Sequence, residues 1–194
     1  MLVLVITNGM TAQAHANVDP ALGGHWVLDP ERSDSFDRAS RRALSNVERI
    51  LRPRGNMPDP GTRQRQEAAR AVLAPLDPPR QTVTIGLAEG QVELQLDDRA
   101  PRRLHADGRP AVIDSEQRTV SITEWEAGRL YVEQTSNRGT RVLTAWWVEN
   151  GRLFASHEAR NTLFGDPIRF TLQFVRAPTP VSRADARQGD PPTS

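Results

Sequence analysis

Alternation of apolar and polar residues in short segments between residues 81 and 176 constrains the fold more than any other feature of the sequence. A period of two over such segments is typical of half-buried antiparallel strands. We therefore predict a mainly β fold, built as an antiparallel meander. The alternating positions are Val83, Ile85, Leu87, Val92, Leu94, Leu96, Val120, Ile122, Leu130, Val132, Val142, Trp146, Val148, Leu153, Ala155, Ile168, Phe170, Leu172 and Phe174.

Residues typical of turns separate these segments. Asn150-Gly151 is the clearest case, because a two-residue hairpin needs the positive φ angles that Asn and Gly adopt readily. Parallel strands would need long crossovers, and the intervals are too short for them. Regular short strands joined by tight turns predict a sandwich, a barrel or a strongly curved sheet. A barrel of about eight strands is either filled by side chains or holds one small ligand.

Two helices are predicted ahead of the meander, within residues 35–76. The first, residues 36–52, should pack its apolar face on the sheet and turn a stripe of arginines outward. The second, residues 62–76, ends at prolines. The apolar face of the first helix comprises Phe36, Ala39, Ala43, Val47 and Ile50, and the stripe comprises Arg38, Arg42, Arg49 and Arg52.

The two ends of the chain have the composition of segments outside a folded domain. Residues 1–14 are apolar at first and end in Ala12-Gln13-Ala14, which suits a signal-peptide cleavage site. We therefore expect export to the periplasm or the medium. Residues 15–23 would be an N-terminal tail, residues 24–177 a single domain, and residues 178–194 a disordered tail.

Charge and cysteine content exclude several classes of function. The 194 residues carry a net charge of +1, which argues against a dedicated nucleic-acid binder. The absence of cysteine excludes disulfides, thiolate catalysis and cysteine-based zinc sites. Beyond the N-terminus, no stretch approaches the ~20 apolar residues that a membrane-spanning helix needs.

Catalytic and metal-binding patterns are weak. Ser156 and His157 are adjacent in a predicted strand, so their side chains point to opposite faces and cannot form a dyad. His105 and Asp107 could share a face, but zinc sites usually need three or four converging ligands. No phosphate-binding loop is present. We predict no enzyme activity, no cofactor and no metal.

Adjacent tryptophans place one large ring on each face of a strand. Trp146 and Trp147 must point in opposite directions. One would lie in the main core, and we expect the amphipathic helix to cover the other.

The opening Gly24-x-Trp26-x-Leu28-Asp29-Pro30-x-x-Ser33 resembles that of an uncharacterised family of exported bacterial proteins. The resemblance extends through Asp107-Gly108-Arg109 and the hairpins that follow. It implies a hairpin-rich sheet and carries no known activity.

Gly24-His25-Trp26 also resembles the Gly-x-Trp opening of lipocalin-like barrels. That resemblance implies that Arg176 stacks across Trp26 and closes one end of the barrel. The chain departs from the lipocalins in lacking their second motif, Thr-Asp-Tyr, and in placing its helices directly after the first strand.

The sequence favours two functions and leaves open, as a third, an enzyme of unknown type for which it shows no constellation of catalytic residues. The first is an exported module that binds a small apolar ligand inside the barrel. The second is a structural or protein-interaction domain of the cell envelope with a packed core. For the first function, the candidate wall residues are Ile122, Val132, Trp146, Phe170 and Phe174.

Overall fold

The computed structural model describes residues 18–51, 61, 64, 67, 78–88, 90–114, 119–137, 139–162 and 164–178. The predicted signal peptide and nearly all of the C-terminal tail lie outside these residues. So does most of the predicted second helix, of which Gln64 and Glu67 are described and are helical. The described part of the chain contains one α-helix of defined bounds, α1, Phe36–Leu51, where two were predicted.

In the described residues, ten antiparallel strands form one sheet in the order β4-β3-β2-β1-β10-β9-β8-β7-β6-β5. Only the pairing of β1 with β10 departs from a simple meander. The strands are β1 Gly24–Leu28, β2 Thr82–Ala88, β3 Gln91–Leu96, β4 Arg102–His105, β5 Ala111–Asp114, β6 Thr119–Glu126, β7 Arg129–Thr135, β8 Arg141–Glu149, β9 Arg152–Arg160 and β10 Ile168–Arg176. The mainly β prediction is confirmed, with ten strands rather than about eight.

The two ends of the sheet curl towards each other and nearly close a barrel. β4 and β5 are the terminal strands, yet Asp107, just after β4, forms a β-bridge with Glu124 of β6. The Gly108 amide donates a hydrogen bond of 2.9 Å to the Thr123 carbonyl. The Asp107-Gly108 segment therefore joins the β4 end of the sheet to β6.

The inner face of the barrel holds one continuous hydrophobic core. It includes residues from the first four strands as well as from β7 to β10. The chain enters this core before β1, because Pro20–Leu22 forms a short 3-10 helix and Leu22 is fully buried. That segment belongs to the fold, although the sequence predicted a tail there.

Helix α1 packs against the inner face of the barrel, not against the outer surface of the sheet. The Phe36 and Phe170 rings lie 5.2 Å apart, and Phe170 is buried on the inner face of β10. Ala43, two turns along, is also buried, whereas Arg38 and Arg42 are exposed as predicted. The predicted packing of the helix on the sheet is confirmed, and so is its apolar face at Phe36, Ala39 and Ala43. The side chains of the remaining predicted positions, Val47, Arg49, Ile50 and Arg52, lie outside the described residues.

The residues of the opening motif attach the start of α1 to β10. Beyond β1, the Ser33 hydroxyl accepts a hydrogen bond of 2.9 Å from the Gln173 amide and donates one of 2.7 Å to the Asp29 carbonyl. The Asp34 carboxylate accepts one of 2.7 Å from the Thr171 amide. Ser33, at the end of the motif, and the following Asp34 continue the hydrogen bonding to β10 after β1 has ended, which gives this segment a structural role.

No helix of the described residues is long and apolar enough to cross a membrane.

Candidate functional site

The inner face of β6 to β10 brings the candidate residues together in aligned rows. Strand register places one residue from each strand side by side, about 4.8 Å apart. The middle row contains the only buried histidine of the described residues. It runs Thr123, Val132, Thr144, His157 and Phe170.

His157 lies at the centre of an aromatic cluster. Its ring stacks on Phe170, with 4.6 Å between centroids and 16° between planes. Trp146 meets the same ring edge-on at 6.2 Å. The Nδ1 atom of His157 shares a hydrogen bond of 3.0 Å with the Thr144 hydroxyl. Burial lowers the pKa of His157 to about 4, so the imidazole is neutral at neutral pH.

Four buried polar atoms have no hydrogen-bond partner within the described part of the chain: Ser40 Oγ, Ser121 Oγ, Trp146 Nε1 and His157 Nε2. Three belong to inner-face residues of β6, β8 and β9. Ser40 lies one helical turn beyond Phe36, on the side of α1 that contacts the barrel. An unsatisfied buried polar group costs about 1–3 kcal/mol, so four of them call for an explanation.

Polar residues recur elsewhere along the same wall. The buried polar side chains of the described residues are Thr119, Ser121, Thr123, Ser136, Thr140, Thr144 and His157. All of them lie on β6, β8 or β9 or in the connection between β7 and β8. None carries a formal charge, because His157 is neutral.

Charged pairs on β7 to β10 lie on the outer face, where exposed arginines meet half-buried carboxylates. Glu158 pairs with Arg160 and with Arg169 at 2.5 Å and 2.8 Å. Hydrogen bonds from Arg169 and Arg160 hold the pKa of Glu158 below its usual value. Arg141 pairs with Glu133 at 2.5 Å. The outer surface of this wall is therefore ionic, whereas its inner surface is neutral.

Four of the five predicted wall residues lie on the inner face. Val132, Trp146, Phe170 and Phe174 are each at most 2% exposed. Ile122 is 37% exposed and pairs with Glu133 on the outer face, so its assignment to the wall was wrong. On β6 the inner positions belong to Ser121, Thr123 and Trp125. The prediction placed Ile122 on the inner face instead, because it is hydrophobic.

At one end of the barrel, the guanidinium carbon of Arg176 lies 4.3 Å from the centroid of the Trp26 ring. Arg176 also donates hydrogen bonds of 3.0 Å to the carbonyls of Gly23 and Ala21. Trp26 Nε1 donates one of 3.0 Å to the Leu22 carbonyl. Gly24 has a φ of 134°, and a Cβ atom there would collide with the Arg176 side chain. The contact thus requires glycine at the first position of the Gly-x-Trp motif.

Trp147 lies on the outer face, where α1 was expected to cover it. Its cover consists instead of the Phe154 ring, stacked at 5.2 Å, and the Arg129 guanidinium, 4.4 Å from its centroid. The helix is engaged at Phe170 on the other side of the sheet, so the prediction for Trp147 was wrong.

Sequence reasoning missed the polar residues of the inner wall. On β6, Thr119, Ser121 and Thr123 share their face with Trp125, whereas Glu124 shares its face with Val120 and Ile122. A charged residue is a better marker of the outer face than an aliphatic residue is of the inner face. That signal was present in the sequence.

Metal-binding groups do not gather in the described ranges: no three His, Asp or Glu side chains there could hold an ion together. Ser156 and His157 occupy opposite faces of β9, in agreement with the alternation expected of a strand.

No protein-family model matches the sequence, and neither does any curated protein. Solved structures do match in fold. A secretory abundant heat soluble protein 4 from Ramazzottius varieornatus is 6% identical, with a TM-score of 0.51 over 82% of this chain and 97% of that chain. Another heat soluble protein of that organism is 11% identical, with a TM-score of 0.52 over 81% and 96%.

Lipid binding protein 8 of Caenorhabditis elegans is 14% identical, with a TM-score of 0.48 over 84% of this chain and 100% of that chain. At such low identity the two heat soluble proteins establish the similarity of fold alone. In its described residues the chain thus forms a ten-stranded, nearly closed antiparallel β-barrel with a helix packed against the inner face of β10.

Proposed function

We propose that this protein binds one small, largely apolar ligand inside the barrel. The observation that carries the proposal is the set of partnerless polar atoms of Ser121, Trp146 and His157 on an otherwise apolar inner surface. Isolated polar atoms on an apolar wall are characteristic of ligand sites, where they fix the orientation of the ligand. The proposal assigns no catalytic step.

The ligand would contact the aromatic cluster beneath α1. Phe170 links the aromatic cluster to α1, because its ring contacts both the His157 ring and Phe36 of the helix. Val132, Trp146 and Phe174 complete the proposed wall. A ligand in this position would be covered by the helix and shielded from water.

A neutral, environment-sensitive dye such as Nile red tests the proposal. Wild-type protein should bind the dye with enhanced fluorescence. Val132→Trp fills the interior and should weaken binding about tenfold or more, whereas Ile122→Trp, on the outer face of the neighbouring strand, should leave binding unchanged.

Overpacking a core costs about 1–3 kcal/mol, so circular dichroism must first show that Val132→Trp is folded. If it is not, Val132→Leu is the smaller substitution to use. Absence of dye binding by the wild-type protein, or equal weakening by the inner and outer variants, would contradict the proposal.

A second candidate function, interaction with a protein of the cell envelope, is favoured by one exposed apolar patch. Val112 is 68% exposed and pairs with Val120 across β5 and β6, and Ile122 follows on the same face. A photo-crosslinking residue at Val112 should then give one discrete adduct in intact host cells. The same residue at Val175, which is also exposed, should give none, and equal labelling would reject this candidate.

We further propose that the protein is exported and cleaved after Ala14. Expression of the full chain in a bacterial host, followed by fractionation and intact mass measurement, should give a product beginning at His15. Ala14→Arg should prevent cleavage. An uncleaved wild-type protein in the cytoplasm would contradict export.

A further inference from the structure

The two adjacent rings of Trp146 and His157 define what kind of polar group the interior can accept. Their centroids lie 6.2 Å apart, and both residues are at least nine-tenths buried. Neither Trp146 Nε1 nor His157 Nε2 has a partner in the described ranges. The two nitrogens thus offer two hydrogen-bonding positions in the same part of the barrel.

Trp146 Nε1 can only donate a hydrogen bond, so its partner must supply an acceptor. His157 Nε2 has the role opposite to that of Nδ1. If Nδ1 donates to the Thr144 hydroxyl, Nε2 accepts, and if the hydroxyl donates to Nδ1, Nε2 carries the proton. A hydroxyl group satisfies both nitrogens in either tautomer, and a carbonyl oxygen satisfies both in the second.

The surroundings of these nitrogens disfavour a charged group. Within the described residues, no buried side chain carries a formal charge. Arg176 faces the same interior by register, but it is engaged with the Trp26 ring and two backbone carbonyls. A carboxylate brought beside His157 would lose its hydration, and neither the neutral imidazole nor the Thr144, Trp146 and Phe170 side chains that contact it supply a counter-charge.

We infer that the ligand carries a neutral oxygen, a hydroxyl or carbonyl, at its inner end, and that Trp146 Nε1 and His157 Nε2 bind this oxygen. The inference rests on the proposed function and specifies its ligand class as a neutral amphiphile, for example a long-chain alcohol, rather than a fatty acid.

Three probes of equal chain length separate the possibilities: 1-decanol, decane and decanoate, each competing with Nile red at pH 8. Decanol should bind about tenfold more tightly than either of the others, which is the effect of one or two buried hydrogen bonds. If none of the three displaces the dye, the proposed function fails. If decane equals decanol, or decanoate binds best, the barrel still binds ligands but the inference is wrong.

Trp146→Phe removes the donor and keeps an aromatic ring. It should reduce decanol affinity about tenfold and leave decane affinity unchanged. An equal loss for both probes would indicate lost packing and would reject the role of Nε1. His157→Phe should reduce decanol affinity by a similar factor, because it removes the second nitrogen while keeping a ring against Phe170.

An NMR measurement on the wild-type protein does not depend on the folding of any variant. The indole N–H resonance of Trp146 should move downfield with decanol and not with decane. The indole of Trp26 donates to the Leu22 carbonyl and serves as the internal control. An unmoved Trp146 resonance in decanol-saturated protein would overturn the inference, because the alcohol oxygen would then not accept a hydrogen bond from the indole.

Arg102 provides the matched test of the competing ligand class. It lies at an inner-facing position of β4, opposite Leu94, and is half-buried. Arg102→Gln should leave decanol binding unchanged. If decanoate is preferred by the wild-type protein and this preference is lost in Arg102→Gln, the polar end lies at β4 and the inference is wrong.

Discussion

The two halves of the barrel interior differ in chemistry although they share one core. The buried side chains of the half formed by β1 to β4 are apolar, with Trp26, Val83, Ile85, Val92 and Leu104 all at most 2% exposed. The half formed by β6 to β9 contains every buried polar side chain of the described residues. Both halves are equally buried, so burial alone does not explain the difference. A buried polar group costs free energy unless it is hydrogen-bonded, so the partnerless atoms of Ser121, Trp146 and His157 are the part of this half that supports the proposed ligand.

The largest effect expected from this comparison is on the apolar half. Leu104→Ala should lower the free energy of unfolding by about 2–5 kcal/mol, because it leaves a cavity in a close-packed region. Val112→Ala, at an exposed position of β5, should change it by less than about 0.5 kcal/mol. Denaturant unfolding measures both. A small effect for Leu104→Ala would mean that this half is loosely packed, which would contradict its role in stability.

His157 should make stability depend on pH in a way that the apolar half cannot. Its pKa in the folded protein, about 4, lies below its value of 6.5 in the unfolded chain. The unfolded chain therefore binds more protons between these values, and stability falls as pH drops from 6.5 to 4. For a pKa shift of this size, the free energy of unfolding lost over the whole range is about 3 kcal/mol.

His157→Phe isolates that contribution. The free energy of unfolding of the variant should stay constant between pH 6.5 and about 5, whereas that of the wild-type protein already falls over this range. The carboxylates of Asp29, Asp97, Asp107 and Glu158, whose pKa values are lowered, contribute mainly at lower pH. Identical pH profiles for the two proteins would show that His157 is not buried as described.

The sequence predicted the apolar half and the barrel architecture better than the polar half. On β2 and β3 the apolar residues, such as Ile85 and Leu94, are buried and their neighbours are more exposed, so alternation alone assigned the faces. On β6 both faces combine β-branched residues, and hydrophobicity assigned Ile122 to the inside. The carboxylate of Glu124, on the same face as Ile122, was the better guide to the outside.

Other features could not be derived from alternation at all. β4, Arg102–His105, is too short and too rich in arginine to show a period of two. The position of α1 depends on the contact between Phe36 and Phe170, which are far apart in sequence. The partnerless nitrogens of Trp146 and His157 depend on neighbouring strands, so a single sequence does not reveal them.

Thr144→Val should have an intermediate effect on stability. The substitution keeps the shape of the side chain and removes the hydroxyl that bonds His157 Nδ1. The imidazole would then have two unsatisfied nitrogens, at a cost of about 1–3 kcal/mol. Thr135→Val, at an exposed position of β7, is the control and should change stability by less than about 0.5 kcal/mol. Equal effects would show that the Thr144 hydroxyl bond contributes nothing.

Ser121→Ala should have the smallest effect and the opposite sign. The Ser121 hydroxyl is 1% exposed and has no partner in the described part of the chain, so its removal relieves an unsatisfied group. Stability without ligand should rise by up to about 1 kcal/mol, since the residue loses no hydrogen bond and little volume. A destabilisation above about 1 kcal/mol would indicate that Ser121 has a water partner. In that case the polar half is a hydrated structural network, and the contrast with the apolar half no longer points to a ligand.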